Sequence, residues 1–262
     1  MTIPLDGIFN LWSIFLIVLV RISAMFFLSP IFGRRNIPNY YKAGFCLIMA
    51  IIVANSVTIP DLSPYTSLAS YVFLVAKEFL VGLTMGFIAY MLFSAIYVAG
   101  HIIDTQIGFG MANVFDPMAN VQIPITADFY AILATLFMLV TDSHHLLIKA
   151  VADSFTILPP GRADFSGGVA RQMVAMFYQT LLLGFKIAAP ITAAILITDV
   201  ALGIIAKAMP QMNVFILGFP IKIIIGLIVI LLTLAAFKGM VAVIMENTYK
   251  NIYELLQNAG GS

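Results

Sequence analysis

Few residues in this chain have the types and spacing that catalysis or metal binding would need. The histidine features are His144-His145 and His101-x-x-Asp104, and neither has the helical H-E-x-x-H spacing of a zinc protease. The sequence has no G-x-S-x-G elbow, no P-loop and no dinucleotide fingerprint. The single cysteine, Cys46, can form neither an intrachain disulfide nor a thiolate cluster. We therefore expect no enzyme, no cofactor and no metal site.

A second group of chemically informative residues consists of charges inside long apolar runs. One charge at the centre of a membrane helix costs about 2.5–3.5 kcal/mol, which about ten large aliphatic or Phe residues can offset. All of these charges facing lipid would cost on the order of 20 kcal/mol, so they must face protein, water or each other. Interhelical ion pairs and a polar pathway both remain open, and the sequence does not assign the pairs. These residues are Arg21, Lys77, Glu78, Asp128, Lys186, Asp199 and Lys222.

The composition identifies the medium in which these charges lie. Of the 262 residues, 62% are hydrophobic and only 10% are charged, whereas soluble domains carry about 25% charged residues. Too little polar surface is left to coat a water-soluble globule, so the sequence predicts an integral membrane protein. The net charge of +1 gives no indication of nucleic-acid binding. We expect one membrane-embedded domain over residues 1–258 and a flexible end at 259–262.

The apolar runs predict an all-α fold of membrane helices, since a spanning helix needs about 20 mostly apolar residues. The segment 145–158 is too short and too polar to span alone and suits a re-entrant or interfacial position. The tail 240–257 has apolar residues at three- and four-residue steps, which indicates an amphipathic helix for a membrane surface or a partner. The strong apolar runs are 8–32, 43–59, 68–103, 125–141, 172–206 and 213–237.

The distribution of basic residues predicts the orientation in the membrane. The loop 33–42 carries Arg34, Arg35 and Lys42, whereas the next loop, 60–67, has no Lys or Arg. Short loops rich in Lys and Arg stay in the cytoplasm. This predicts that the N-terminus lies outside, and Lys238 and Lys250 indicate a C-terminus in the cytoplasm.

Two segments interrupt helical character where apolar character continues. The segment 206–222 is expected to break at Pro210, Gln211, Gly218 and Pro220. The segment 106–124 is expected to be a non-helical loop. Lipid cannot satisfy freed backbone N–H and C=O groups, so such segments require surrounding protein or a water-filled cavity. Paired breaks also mark substrate sites in secondary transporters, so that alternative remains open.

The composition of segment 106–124 suits a plug, although packing against its own helices is an equally good alternative. The glycines permit bending, and Asp116-Pro117 fixes the exit, with Asp116 available to cap the backbone that follows. Phe and Met supply soft apolar bulk that could act as a gasket, meaning a seal made by side-chain packing. The proposed plug and gasket residues are Gly108, Phe109, Gly110, Met111, Phe115, Asp116, Pro117 and Met118.

Three sequence blocks, in order along the chain, resemble the FliR family of flagellar biosynthesis proteins, called SctT in type III secretion systems. The first is RISAMFFLSPIFGRRNIPNYYKAGF (21–45), with an Arg, a Ser-Pro and an I-P before a basic-apolar helix. The second is GHIIDTQIGFGMANVFDP (100–117), with Q-x-G followed by D-P. The third is KAMPQMNVFILGFPIK (207–222), with P-Q and G-F-P. The resemblance covers essentially the whole chain.

The resemblance implies a subunit of the flagellar protein export gate, located in the bacterial inner membrane at the flagellar basal body. Members of this family assemble with FliP and FliQ into a cone of helical hairpins around a channel for unfolded export substrates. FlhB and FlhA lie nearby, and the loop corresponding to 106–124 plugs the channel. The resemblance also implies that some apolar segments do not cross lipid. The same subunit of a virulence injectisome remains an alternative.

Overall fold

The computed structural model describes residues 5–30, 32–34, 36–55, 57, 67–109, 124–165, 167–211 and 213–260. Helices make up most of these residues, and no strand occurs among them. The predicted all-α class is therefore confirmed. In chain order the helices are α1 (Leu5–Leu28), α2 (Asn39–Ala54), α3 (Leu68–Ile107), α4 (Ile125–Val140), α5 (His144–Ile157), α6 (Gly167–Ala208) and α7 (Val214–Ala259).

Several helices of the described residues are long and apolar enough to cross a membrane. These are α3, α6 and α7, and the sharply bent pair α4 and α5 makes a fourth if it counts as one span. In α1 the search covers only Trp12–Leu28, and α2 is a shorter apolar helix of 16 residues. At 1.5 Å per residue, the 40 residues of α3 extend over about 60 Å, twice the hydrocarbon thickness of about 30 Å. Hydropathy alone therefore overstates how much of this chain lies in lipid.

The chain forms two compact units that are interleaved along the sequence. Unit 1 contains residues 1–92, 143–177 and 245–262, and unit 2 contains residues 93–142 and 178–244. The expectation of one domain over 1–258 stays a prediction. At the predicted flexible end, Ala259 closes α7 and Gly260 forms a turn, while Gly261 and Ser262 lie outside the described residues.

In unit 1, α1 and α3 pack with their backbones in direct approach. A Cβ on Gly82 would lie 2.2 Å from the carbonyl oxygen of Arg21, and one on Gly86 would lie 2.6 Å from that of Met25. No side chain fits in these gaps, so both glycines are required where the helices meet. This contact places Arg21 beside the turn of α3 that precedes Gly82. Glu78 lies in that turn and forms the ion pair described below.

The end of α7 completes unit 1. The Gln172 side chain donates to the carbonyl of Asn251 at 3.0 Å, and the Asp164 amide donates to the carbonyl of Ala259 at 2.8 Å. Ile252 and Leu256 are buried at 1% exposure each. The predicted apolar face of the tail is confirmed. The tail is not a separate helix, because α7 continues through it without a break and packs this face within the chain.

The predicted break over 206–222 is shorter in the structure. Helix α6 ends at Ala208 and α7 begins at Val214, so Pro210 and Gln211 lie between helices as predicted. Gly218 and Pro220 lie inside α7, which corrects their assignment as helix breakers. Pro220 lies early in α7, close to its first turn. The N–H groups of a first turn have no partner within the helix. Membrane helices tolerate proline where neighbouring groups satisfy the freed carbonyl.

Candidate functional site

The predicted plug is described only at its start. Gly108 and Phe109 follow directly on α3, and both are half-buried. The remaining predicted plug and gasket residues lie outside the described residues: Gly110, Met111, Phe115, Asp116, Pro117 and Met118. Their roles stay predictions. The structure does describe the residues of unit 2 on both sides of this segment.

Asp104, near the end of α3, caps the start of α4. Its Oδ1 and Oδ2 accept hydrogen bonds from the Thr126 amide at 3.1 and 3.2 Å. The preceding residue at the cap position, Pro124, makes no side-chain hydrogen bond to the helix. A carboxylate here satisfies an otherwise unpaired N–H group and interacts favourably with the positive end of the helix dipole.

The helices α3 and α4 also touch directly beside this cap. A Cβ on Gly100 would lie 2.2 Å from the Cα of Ala127, so the two backbones are in contact. The ends of the segment between α3 and α4 are therefore fixed next to each other within unit 2. The sequence analysis missed Asp104 as the residue that joins them. The sequence did contain a signal for this role: Asp104 is an acidic residue near the end of α3, and Pro124 occupies the cap position of α4 without being able to cap it.

Helix α3 ends in a backbone conformation that favours glycine. Gly108 has φ of +96°, which L-residues with side chains rarely adopt. The ring of Phe219 covers this position, 3.0 Å from where a Cβ would lie. Any side chain at position 108 would meet both the strained dihedral and the ring. This conformation agrees with a bend at Gly108, and its role in the loop stays a prediction.

A cavity of about 460 Å³ lies next to Gly108 within unit 2. Its lining includes Gln106 from α3 and an ion pair between Asp199 of α6 and Lys222 of α7. Both charged side chains are partly exposed, at 39% and 25%. Two residues that the sequence placed inside apolar runs thus pair with each other. Pairing with an opposite charge lowers the cost of placing either side chain at membrane depth.

A second ion pair is fully buried in unit 1. Arg21 Nη2 lies 2.5 Å from Glu78 Oε2, and both side chains are 0% exposed. The remaining polar atoms are also paired: Arg21 Nη1 donates to the carbonyls of Ser154 and Leu158 at 3.0 Å each, and Glu78 Oε1 accepts from the Gly161 amide at 2.9 Å. This network joins α1, α3 and the end of α5. It supplies a second donor to the Ser154 carbonyl, which also accepts from the Leu158 amide at 2.9 Å, and a donor to the carbonyl of Leu158 just after α5.

The other charges in apolar runs have different surroundings. Lys77 Nζ lies 5.3 Å from the ring centroid of Phe73, within the range of a cation–π interaction. Asp128 is exposed in the first turn of α4, where a carboxylate is favourable. Lys186 is exposed near the middle of α6. Of the seven predicted charges, four therefore form two ion pairs, one within each unit.

Comparison with known proteins assigns the family. The family described as Bacterial export proteins, family 1, matches residues 12–248. The flagellar biosynthetic protein FliR of Bacillus subtilis is 35% identical, and the alignment covers 97% of each chain. FliR of Pectobacterium carotovorum is 30% identical over 95% of each chain, and FliR of Escherichia coli is 27% identical over 91% of this chain and 89% of its own. The chain therefore belongs to the FliR family of flagellar export proteins, the non-enzymatic membrane subunits of the flagellar export apparatus.

Proposed function

We propose that this chain forms, with FliP-like and FliQ-like subunits, a gated channel for unfolded flagellar export substrates, and that residues 106–124 plug this channel. The observation that carries the proposal is a hydrogen bond that joins the helix ends on the two sides of this segment. Asp104 and Thr126 are 22 residues apart in sequence and share a hydrogen bond of 3.1 Å. A segment fixed in this way leaves and re-enters the helical scaffold at one point.

The length and composition of the segment favour a seal. Residues 110–123 span at most about 3.5 Å each when extended, so a loop that returns to its base can reach about 25 Å. It carries Met111, Phe115 and Met118 but only one charge, Asp116. Such apolar side chains are unfavourable in water and favourable in a constriction lined by protein.

The exposed surfaces of α6 and α7 support an assembly of several subunits. In the most apolar windows of these helices, only 33% and 17% of the residues are buried within the chain. The same surfaces include Lys186 and the pair of Asp199 and Lys222. Hydrocarbon does not accept these charges without cost. Neighbouring subunits would cover the apolar area and also supply polar contacts.

The orientation and the neighbours follow from the same proposal. The basic loop 33–42 places its side of the protein in the cytoplasm, with the N-terminus outside and the C-terminus inside. FlhB and FlhA are then expected at the cytoplasmic entrance. The relatives described above have flagellar names, which favours flagellar over injectisome use. Membership in an export family leaves the secondary-transporter alternative without support.

The plug assignment is tested with variants that remove the apolar side chains proposed to seal the channel. Replacing Met111 and Phe115 by Gly, or deleting residues 110–118, should make cells carrying the assembled complex leaky to ions and small solutes. The matched control replaces the same two residues by Leu, which retains most of the apolar volume and should retain the barrier. The measurement is influx of a small dye or collapse of the membrane potential.

The result for assembly is read separately from the result for the plug. Co-purification of the chain with FliP-like and FliQ-like proteins would support the assembly, and a chain purified only as a monomer would contradict it. If the glycine variant assembles normally and the conductance barrier stays intact, the plug assignment is wrong while the assembly stands.

A further inference from the structure

A second cavity, of about 480 Å³, lies in unit 1 between the end of α1, the segment that follows it and α2. It is distinct from the cavity in unit 2, and nothing in the export function assigned above uses it. Its lining is almost entirely apolar. Among the residues that line it are Phe26, Phe32, Phe45 and Lys42.

Three aromatic rings form a rigid wall of this cavity. The rings of Phe32 and Phe45 stack with centroids 5.2 Å apart, and Phe26 meets them edge-on at 4.6 and 5.1 Å. Gly33 makes this arrangement possible, because a Cβ there would lie 2.5 Å from the carbonyl oxygen of Ser29. The chain therefore turns tightly over the end of α1 and brings Phe32 back against Phe26. Such geometry gives a preformed apolar cavity.

The mouth of the cavity is basic and carries tyrosines. Lys42, Tyr40 and Tyr41 contribute to the lining, and the two tyrosines are exposed at 70% and 64%. No Asp or Glu occurs between residues 29 and 55, whereas Arg34, Arg35 and Lys42 do. No carboxylate among the described residues lies within ion-pairing distance of Lys42. Tyrosines beside basic residues are typical of the level of lipid headgroups.

An apolar surface continues from the cavity along α2. Ile48 lines the cavity and is exposed at 61%, and Leu47, Ile51 and Ile52 extend the exposed stripe. Helix α2 has 16 residues and is about 24 Å long, less than the hydrocarbon thickness of about 30 Å. The cavity and the stripe together offer a path for a flexible apolar chain, with positive charge at one end.

We propose that this cavity binds an anionic phospholipid, with the phosphate at Lys42 and an acyl chain in the cavity and along α2. A free anion would interact with Lys42 but would leave the aromatic cavity unfilled. A neutral lipid would fill the cavity but would gain nothing from the positive charge of Lys42, which has no carboxylate partner among the described residues. The combination of an apolar cavity and a basic mouth matches a lipid that has both an acyl chain and a net negative headgroup.

Native mass spectrometry of the full chain, purified from membranes with any subunits that accompany it, tests the proposal. The probes are phosphatidylglycerol, phosphatidylcholine of the same chain length, and inorganic phosphate. Wild-type protein should retain phosphatidylglycerol in preference to phosphatidylcholine, and millimolar phosphate should not displace the lipid. Equal retention of the two lipids, or displacement by phosphate, would overturn the proposal.

Two variants separate the contributions of the charge and the cavity. Lys42→Gln should lower phosphatidylglycerol binding about fivefold, as expected for one basic residue at an anionic lipid, and should leave phosphatidylcholine unchanged. Gly44→Leu should lower the binding of both lipids. Gly44 lines the cavity, and a Cβ there meets nothing within 4 Å, so the leucine enters open space without a clash.

Gly239→Leu is the matched control, because Gly239 also lies in a helix with nothing within 4 Å of an added Cβ. It should change neither lipid. An effect of Lys42→Gln without an effect of Gly44→Leu would indicate attraction at the surface and no bound acyl chain, which also contradicts the proposal. Circular dichroism and elution volume show whether each variant is folded.

Discussion

Replacing Arg21 by Met should destabilise unit 1 by about 3–5 kcal/mol, the cost of removing one partner of a buried ion pair. Arg21 and Glu78 are both 0% exposed, so the remaining carboxylate has no water to replace its partner. It would keep only the hydrogen bond from the Gly161 amide at 2.9 Å. The carbonyls of Ser154 and Leu158 would also lose the donor that Arg21 supplies, although the Ser154 carbonyl would keep the Leu158 amide. The methionine fills most of the vacated volume, so a cavity accounts for little of the effect.

A double-mutant cycle distinguishes the ion pair from general packing. Glu78→Gln alone leaves the Arg21 cation buried without a counter-charge, so it should also be destabilising. In the double variant no charge remains, and the glutamine oxygen can still accept from the Gly161 amide. The double variant should therefore cost about 1–3 kcal/mol less than the sum of the single variants.

The assay is unfolding of the purified chain in mixed micelles with increasing SDS, followed by helical circular dichroism. Hydrogen exchange of α5 serves as a local measurement, because Arg21 donates hydrogen bonds to the carbonyls of Ser154 and Leu158 at the C-terminal end of this helix. Single-variant effects that add within about 0.5 kcal/mol would refute the coupling. Single variants as stable as wild type would show that the network does not stabilise unit 1.

Other predictions concern unit 2. Asp104→Ala should destabilise the start of α4 by about 0.5–2 kcal/mol, as loss of a helix cap does, and the Thr126 amide should exchange faster with deuterium. Gly100→Val should strongly reduce the yield of folded protein, because its Cβ has no room against the backbone of α4. Asp199→Lys and Lys222→Asp should each lower thermal stability, by up to about 1 kcal/mol for a partly exposed pair, and the double reversal should restore it.

Each of these predictions has a matched control. Asp104→Asn keeps an acceptor oxygen and should fall between wild type and the alanine variant. Gly239→Val adds the same side chain where nothing lies within 4 Å, so its yield should stay near wild type, and an equal loss there would remove the steric explanation at Gly100. If the double reversal is no more stable than Asp199→Lys alone, the pair does not stabilise unit 2.

The sequence predicted the helical class and most helix positions, because long apolar runs determine both. It failed where stability depends on distant residues. Nothing local distinguishes Pro220, which lies inside α7, from a proline that ends a helix. The partners Arg21 and Glu78 are 57 residues apart, and their pairing depends on the close approach of α1 and α3.

The candidate site was predictable in part for the same reason. Gly108 was singled out because a glycine beside the end of an apolar run indicates a bend. Asp104 was not identified, because its signal, an acidic residue late in α3 and a proline at the cap position of α4, does not show that the two helix ends lie side by side. The pairing of Asp199 with Lys222 likewise depends on how α6 and α7 face each other.

The interleaving of unit 1 has a consequence for biosynthesis. Its parts come from the start, the middle and the last stretch of the chain, and residues 245–262 belong to it. The ribosome must therefore deliver almost the whole polypeptide before this unit can close, although the helices that begin it were made first. Until then, the insertion machinery or a membrane chaperone must protect early helices such as α1. If a stop codon shortly before position 245 truncates the chain, unit 1 should therefore fail to fold although its first helices have been synthesised. We expect the truncated product to be degraded.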